Sequence, residues 1–477
     1  MKKTVVTMFA VLSLIIGPHC VNASEADLQQ QIEDLKKTVN QLDAEVKQLN
    51  EGKAAAEESS VSVDPKLKFL KNVHLGADYR SRYGYREKTS ASAGPDARDA
   101  FDHRIRVMFD YIDDSGVALK TRTQLYDNVW LGDRRSSGSA GSDISSGEDN
   151  ISLDYGFLEI PFHETWNFKI GRQEAFWARN FVTDDDRRDR ISLMNSLGET
   201  SLGNMTVMAI YDKRQEGEVE VQKDDGDMIA IASWAKAGDW TWGLLLDYWH
   251  GWADYVSPDP NGTDGYVLDD LWSISPTLEG TFGDGFEFFW TMHYMNGNGR
   301  GDGKFEPGQG FWANESMATF AVLGYNFDFM KVEVQGYLNQ DGCLVGAGWD
   351  SFSSVIQNST RNDPNPIRLS SVGGLGYDGD DQWLAATRLS GKLLDSKVGW
   401  ALAGGYVDTR NDDADPVNNG QDNLYNLEAA FVDVQASWRF YNTLELGAKY
   451  GYIFGDEDDD GPGAGKFGTL AYLSWNY

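Results

Sequence analysis

The chain has 477 residues, with 74 acidic against 42 basic side chains, a formal charge of −32 and only two cysteines. An acidic surface of this kind excludes a nucleic-acid partner, and so few cysteines exclude a disulfide scaffold. No apolar run beyond the leader approaches the ~20 residues of a spanning helix, so a membrane form has to be a barrel.

Lys2 and Lys3, the apolar run Val5 to Ile16 and the Val21-Asn22-Ala23 box read as a secretory signal peptide over residues 1–23. Cys20 leaves with it, and "GPHC" lacks the small apolar residues of a lipoprotein cleavage box, so no lipid anchor is expected. Losing the two leader lysines takes the charge from −32 to −34. Cys343 is then the one remaining cysteine, and no intrachain disulfide can form.

Residues 24–52 change period. Leu28, Leu35, Leu42 and Leu49 recur every seven residues with Ile32, Val39 and Val46 between them, a coiled-coil seam with β-branched residues at a and Leu at d. About three heptads are marginal alone, so other contacts must hold the subunits together. Residues 53–65 read as a linker.

From residue 66 to residue 477 the period is two. "FDHRIRVMFDYI" (Phe101 to Ile112) sets Phe101, Ile105, Val107, Phe109 and Tyr111 on one face and Asp102, Arg104, Arg106 and Asp110 on the other. The same alternation recurs around Val73–Tyr83, Trp240–Tyr248, Trp272–Leu278, Phe286–Tyr294 and Val432–Phe440. Short turns at Asp113–Gly116, Pro161–Thr165, Ala235–Asp239, Phe282–Gly285, Asn326–Asp328, Leu394–Ser396 and Tyr441–Thr443 alternate with long polar loops. The longest of these is Asn339 to Asp381. Regular alternation requires a strand at Arg190–Leu197 and a turn at Gly198–Gly203, which gives about 18 strands, with 16 as the other count. The predicted fold is an all-β, antiparallel transmembrane β-barrel. A soluble sandwich would also alternate, but its core could not take so many ionisable groups at several kcal/mol each, whereas a wet lumen can.

The pattern from Leu67 to Tyr477 resembles Gram-negative outer-membrane porins. "LDYGFLEIPFHETWNFKIGRQ" (Leu153 to Gln173) is similar to the strand–turn–strand of alginate-export-like and phosphate-selective porins, and Tyr477 to the terminal signal read by the barrel-insertion machinery. The resemblance implies an outer-membrane location amid lipid and lipopolysaccharide, with the coil in the periplasm. It also implies a trimer. The a/d seam by itself favours a dimer, and the trimer is expected because barrel contacts can dominate so short a coil.

Expected pore-lining residues are Arg80, Arg82, Arg104, Arg106, Lys120 and Arg122 on one wall, with Asp247, Glu279 and Glu287 on the wall opposite. The stretch "EAFWARNFVTDDDRRDR" (Glu174 to Arg190) reads as a loop that can enter the lumen and narrow it with Arg179, Arg187, Arg188 and Arg190. Its bland reading is a self-neutralised surface loop. Asp456, Asp458 and Asp460 space like half an EF-hand loop, but Phe467 stands where the bidentate Glu belongs, so at most weak Ca or Mg binding is expected. "HYMNGNGR" (His293 to Arg300) has Met295 where the Ser of an outer-membrane phospholipase would stand, and no other catalytic motif occurs, so no enzyme and no cofactor are expected. The expected function is passive diffusion of small hydrophilic or anionic solutes. The alternatives are an export conduit or sheath for another component, or a structural protein tied to the periplasm by its coil.

Overall fold

The computed structural model describes residues 71–88, 98–129, 151–215, 226–250, 252–254, 266–298, 315–340, 343, 345–346, 348–357, 365–369, 381–409, 427–456 and 463–477. The leader, coiled coil and linker lie outside the described residues.

The first strands are β1 (Val73–Arg86), β2 (Arg98–Ile112), β3 (Ala118–Val129), β4 (Ser152–His163), β5 (Trp166–Trp177) and β6 (Thr183–Thr200). There follow β7 (Gly203–Gln215), β8 (Gly226–Ala237), β9 (Trp240–His250), β10 (Trp252–Asp254), β11 (Tyr266–Phe282) and β12 (Phe286–Asn298). The last are β13 (Glu315–Asn326), β14 (Lys331–Gln340), β15 (Gln382–Leu393), β16 (Val398–Asp408), β17 (Glu428–Tyr441), β18 (Leu444–Ile453) and β19 (Phe467–Asn476). Consecutive strands pair antiparallel, except that β9 pairs directly with β11, and β1 pairs with β19 to close the ring. Among the described residues the three-residue β10 pairs only with β11, so the wall has 18 strands. Tyr477 seals the closure: its amide donates to the Ala77 carbonyl (2.9 Å) and its carbonyl accepts from the Ala77 amide (3.1 Å).

The outward face is apolar and exposed. Leu75, Val107, Ile229, Ile231, Leu323, Val334, Leu402, Val434 and Leu446 all project from the wall, a surface that suits lipid and not water. Aromatic rings gather at the short-turn end. Trp240 stacks on Phe282, Phe282 on Phe286 and Trp475 on Tyr477, with Phe327, Phe329, Trp438 and Tyr441 exposed near the same level. That is an interfacial girdle. The inward face carries the charges: Asp78, Arg80, Arg82 and Asp102 are buried while Phe101 and Val107, on the other face of β2, are exposed.

Candidate functional site

Arg104, Arg106 and Arg122 of β2 and β3 form one connected network inside the barrel through Asp78 and Asp154. The β1–β2 register sets Asp78 opposite Arg106, Arg80 opposite Arg104 and Arg82 opposite Asp102. Arg106 donates to Asp78 at 2.8 Å, Arg82 to Asp102 at 2.8 Å, and Arg104 lies 3.7 Å from Asp78. Asp154 of β4 is the hub: it meets Arg122 of β3, Arg106 at 3.6 Å and Arg187 of β6 at 2.5 Å. A bulge in the β3–β4 ladder at this residue turns it inward. The Tyr155 ring lies 4.6 Å from the Arg122 guanidinium. Lower down, Lys120 and Lys169 share Glu159 at 2.9 and 3.4 Å.

The segment expected to be a loop is a strand hairpin. Pairing of β4 with β5 reaches Gly156–Arg172, and pairing of β6 with β7 reaches Asp189–Lys213. The β5–β6 ladder alone continues, up to Trp177–Thr183. Residues 173–188 therefore leave the wall as a tongue that crosses the lumen. Adjacent residues prove the point. Arg187 and Arg188 must face opposite sides of their strand, yet both are buried and ion-paired. Arg187 meets Asp154 and Glu174 on the β4 side; Arg188 meets Asp212 of β7 at 3.1 Å, with Arg190 on the same carboxylate at 2.6 Å. In a wall strand one of the two arginines would face lipid, at about 2–4 kcal/mol near the midplane.

The five-residue tip bends sharply. Ala178, Arg179 and Asn180 have φ of 52°, 55° and 65°, left-handed backbone that costs about 1–2 kcal/mol per residue with a side chain. What offsets it is Phe181, fully buried with ring centroids 5.5 Å from Phe320, 6.0 Å from Tyr337 and 5.7 Å from Trp349. The tip thus spans from β5 and β6 to β13 and β14. Arg179 reaches Glu279 of β11 (3.2 Å) and covers the Phe289 ring, while Trp177 donates to the Ser275 carbonyl (3.1 Å). Behind the tongue, Trp177 and Val182 pack on Ile210, Met228, Ala230, Ala232 and Leu245 of β7, β8 and β9.

A second inward element comes from the segment between β14 and β15, whose described parts (343, 345–346, 348–357 and 365–369) pack as a plug. Asn339 exchanges hydrogen bonds with the Cys343 backbone (2.7 Å each way), and Gln335 donates to the Asp350 carbonyl at 2.6 Å. Arg388 of β15 pairs with Asp350 and stacks on Phe352, and Asp433 of β17 accepts from the Ser354 amide at 2.7 Å. Val355, Ile356, Ile367 and Leu369 are fully buried. Glycines on the wall make room. A Cβ on Gly84 would come within 2.9 Å of Pro366, and one on Gly451 within 2.6 Å of Val355. The Gly346 amide donates to the Phe181 carbonyl at 2.7 Å, joining plug to tongue. Burial pushes the Cys343 thiol up to about 12.

Several expected site residues have partners that the sequence did not suggest. Glu279 and Glu287 are met by bases, Arg179 and Lys331 (2.7 Å), and Asp247 is buried, accepting from Ser273 Oγ (2.6 Å) and Trp249 Nε1 (2.5 Å). The wall of β9, β11 and β12 is thus not acidic without partners. Of the acidic run, Asp456 is described, while Asp458 and Asp460 lie outside the described residues. Asp154, Glu174, Asp212, Phe181 and the plug were not expected from sequence.

No family model and no curated protein matches this sequence. Solved structures do. OccAB3 of Acinetobacter baumannii superposes with a TM-score of 0.55 at 9% identity, covering 85% of this chain and 99% of that one. The fold is that of an outer-membrane porin. OprD of Pseudomonas aeruginosa gives 0.53 at 10% identity over 85% and 93% of the two chains. OpdK from the same organism, solved with vanillate, gives 0.53 at 10% over 86% and 99%. An 18-strand wall, which the sequence count favours over 16, accommodates the tongue as an excursion of β5 and β6 and not as an extra loop.

Proposed function

We propose that the protein is an outer-membrane porin passing small hydrophilic solutes by passive diffusion, with anions preferred. The observation that carries this reading is the division of the lumen. The tongue packs on β7 to β9 and the plug is tied to β14, β15 and β17, while the arginine network lies beside β2, β3 and β4, where this reading puts the conducting path. Guanidinium groups at close quarters draw and orient carboxylates. One structural neighbour was solved with vanillate, a carboxylate of the kind such a wall would attract. A plug anchored at β14, β15 and β17 also disfavours a wide export conduit. Liposomes containing the purified protein are expected to swell in small sugars, and faster in small organic anions of equal size, and not in long oligosaccharides. Passage of polymers with no preference for anions would overturn the reading.

The coil of residues 24–52 is proposed to lie in the periplasm, since β1 begins at the short-turn end of the barrel. The assembly is proposed to be a trimer. Native mass measurement in detergent is expected to give three copies for the intact protein. Three copies are expected again after deletion of residues 24–52 if barrel contacts dominate. A monomer in the intact protein would refute both the coiled coil and the trimer.

A further inference from the structure

The two arginines that hold the tongue root are each used twice. Arg122 points Nε at Asp154 and Nη2 at Glu174 Oε1 (2.7 Å), and Arg187 does the same, with Nη2 3.3 Å from that oxygen. Two guanidinium groups thus converge on a single carboxylate oxygen. The two acids differ in kind. The Asp154 side chain is 6% exposed and sits on a wall strand, where it fixes both guanidinium planes; the Glu174 side chain is 33% exposed and sits on the tongue. Asp154 builds the clamp and Glu174 merely occupies it. Two residues along the same strand face, the Phe176 ring is 69% exposed, so the surroundings of Glu174 are open to a solute.

We propose that Glu174 is a tethered competitor of anionic solutes: its carboxylate fills the Arg122–Arg187 clamp, and a solute carboxylate must displace it, which loosens the tongue. The idea rests on the porin reading for the source of the solute, and on geometry for the clamp. A displaced Glu174 returns to water at small cost because it is already partly exposed. The tongue then keeps one tie to β4, through Arg187 and Asp154, and its ties to β7 through Arg188 and Asp212. Anion binding and tongue motion are coupled through this one side chain.

The test uses butyrate, with butyramide as the uncharged control, on Glu174→Gln and Glu174→Ala. Binding is read twice: by current block in single channels, and by calorimetry on the detergent-solubilised protein. Both variants should bind butyrate roughly tenfold tighter than wild type, the scale of a lost charge-assisted competitor. Butyramide should not distinguish them. Glu445→Gln removes the same charge beside Arg439, near a short turn and away from the clamp, and should leave butyrate binding unchanged. If all three variants tighten binding alike, the effect is bulk charge and the competitor is refuted. Unchanged affinity in both Glu174 variants refutes it as well. Tightening seen by calorimetry in a protein that conducts nothing would sink the porin reading and leave the competitor standing.

Discussion

Replacing Phe181 with alanine is expected to raise single-channel conductance at least twofold and to admit larger sugars in liposome swelling. Phe181 is the apolar anchor of the tongue tip, fully buried among Phe320, Tyr337 and Trp349. Truncating a buried Phe costs about 3–5 kcal/mol, enough to release a tip that also holds three left-handed residues. The hairpin root stays in place, because Arg187 on Asp154 and Arg188 on Asp212 are untouched. The variant should therefore insert and conduct with larger, noisier openings. Cys343 supplies an independent readout. It is buried at the start of the plug with its thiol held protonated, so wild type should react slowly with a maleimide and the variant much faster. Wild-type conductance together with wild-type Cys343 reactivity would mean that the tongue does not limit the path.

The barrel was legible in the sequence because a wall strand has two chemically distinct faces, and that distinction survives in every strand of "FDHRIRVMFDYI" type. Its turns were legible too, since short and long connections fall on opposite ends. The tongue was half legible. "DDDRRDR" places charge at consecutive positions, which no lipid-facing strand can carry. It also hid the strands, because a hairpin with both faces in water loses the period-two contrast on which a strand is recognised. The loop expected over Glu174 to Arg190 is instead a continuation of β5 and β6 around a five-residue tip. Asp154 escaped notice because a bulge shifts its parity, so counting alternate residues assigns it to the wrong face. The partners of the arginines were invisible for a different reason. Glu174 lies 52 residues from Arg122 and Asp212 lies 24 from Arg188, separations that only the closed ring brings together. The plug left one faint trace in Gly84 and Gly451, inward positions where a side chain would collide with it.

Exchanging both Arg104 and Arg106 for glutamate is expected to move the channel from anion toward cation preference, with a permeability ratio changed several-fold. The two side chains sit at the centre of the arginine network, Arg106 on Asp78 and Asp154 and Arg104 near Asp78. The double variant takes the formal charge of these two positions from +2 to −2 and sets new carboxylates against existing ones. Ions that pass within a Debye length of that wall, about 8–10 Å, feel its charge, and the surrounding protein limits screening further. Insertion should survive, because the lipid face of β2, with Phe101 and Val107 exposed, is unchanged. Arg439 is the proper comparison. Its side chain is 59% exposed near the short turn, paired with Glu445, where salt screens it. Arg439→Glu should shift the reversal potential in a salt gradient far less. A double variant that inserts normally and keeps the wild-type reversal potential would place the conducting path away from β2. A double variant that cannot assemble would show that these arginines hold the barrel together and do not serve as a selectivity wall, and the account of anion preference would fall with it.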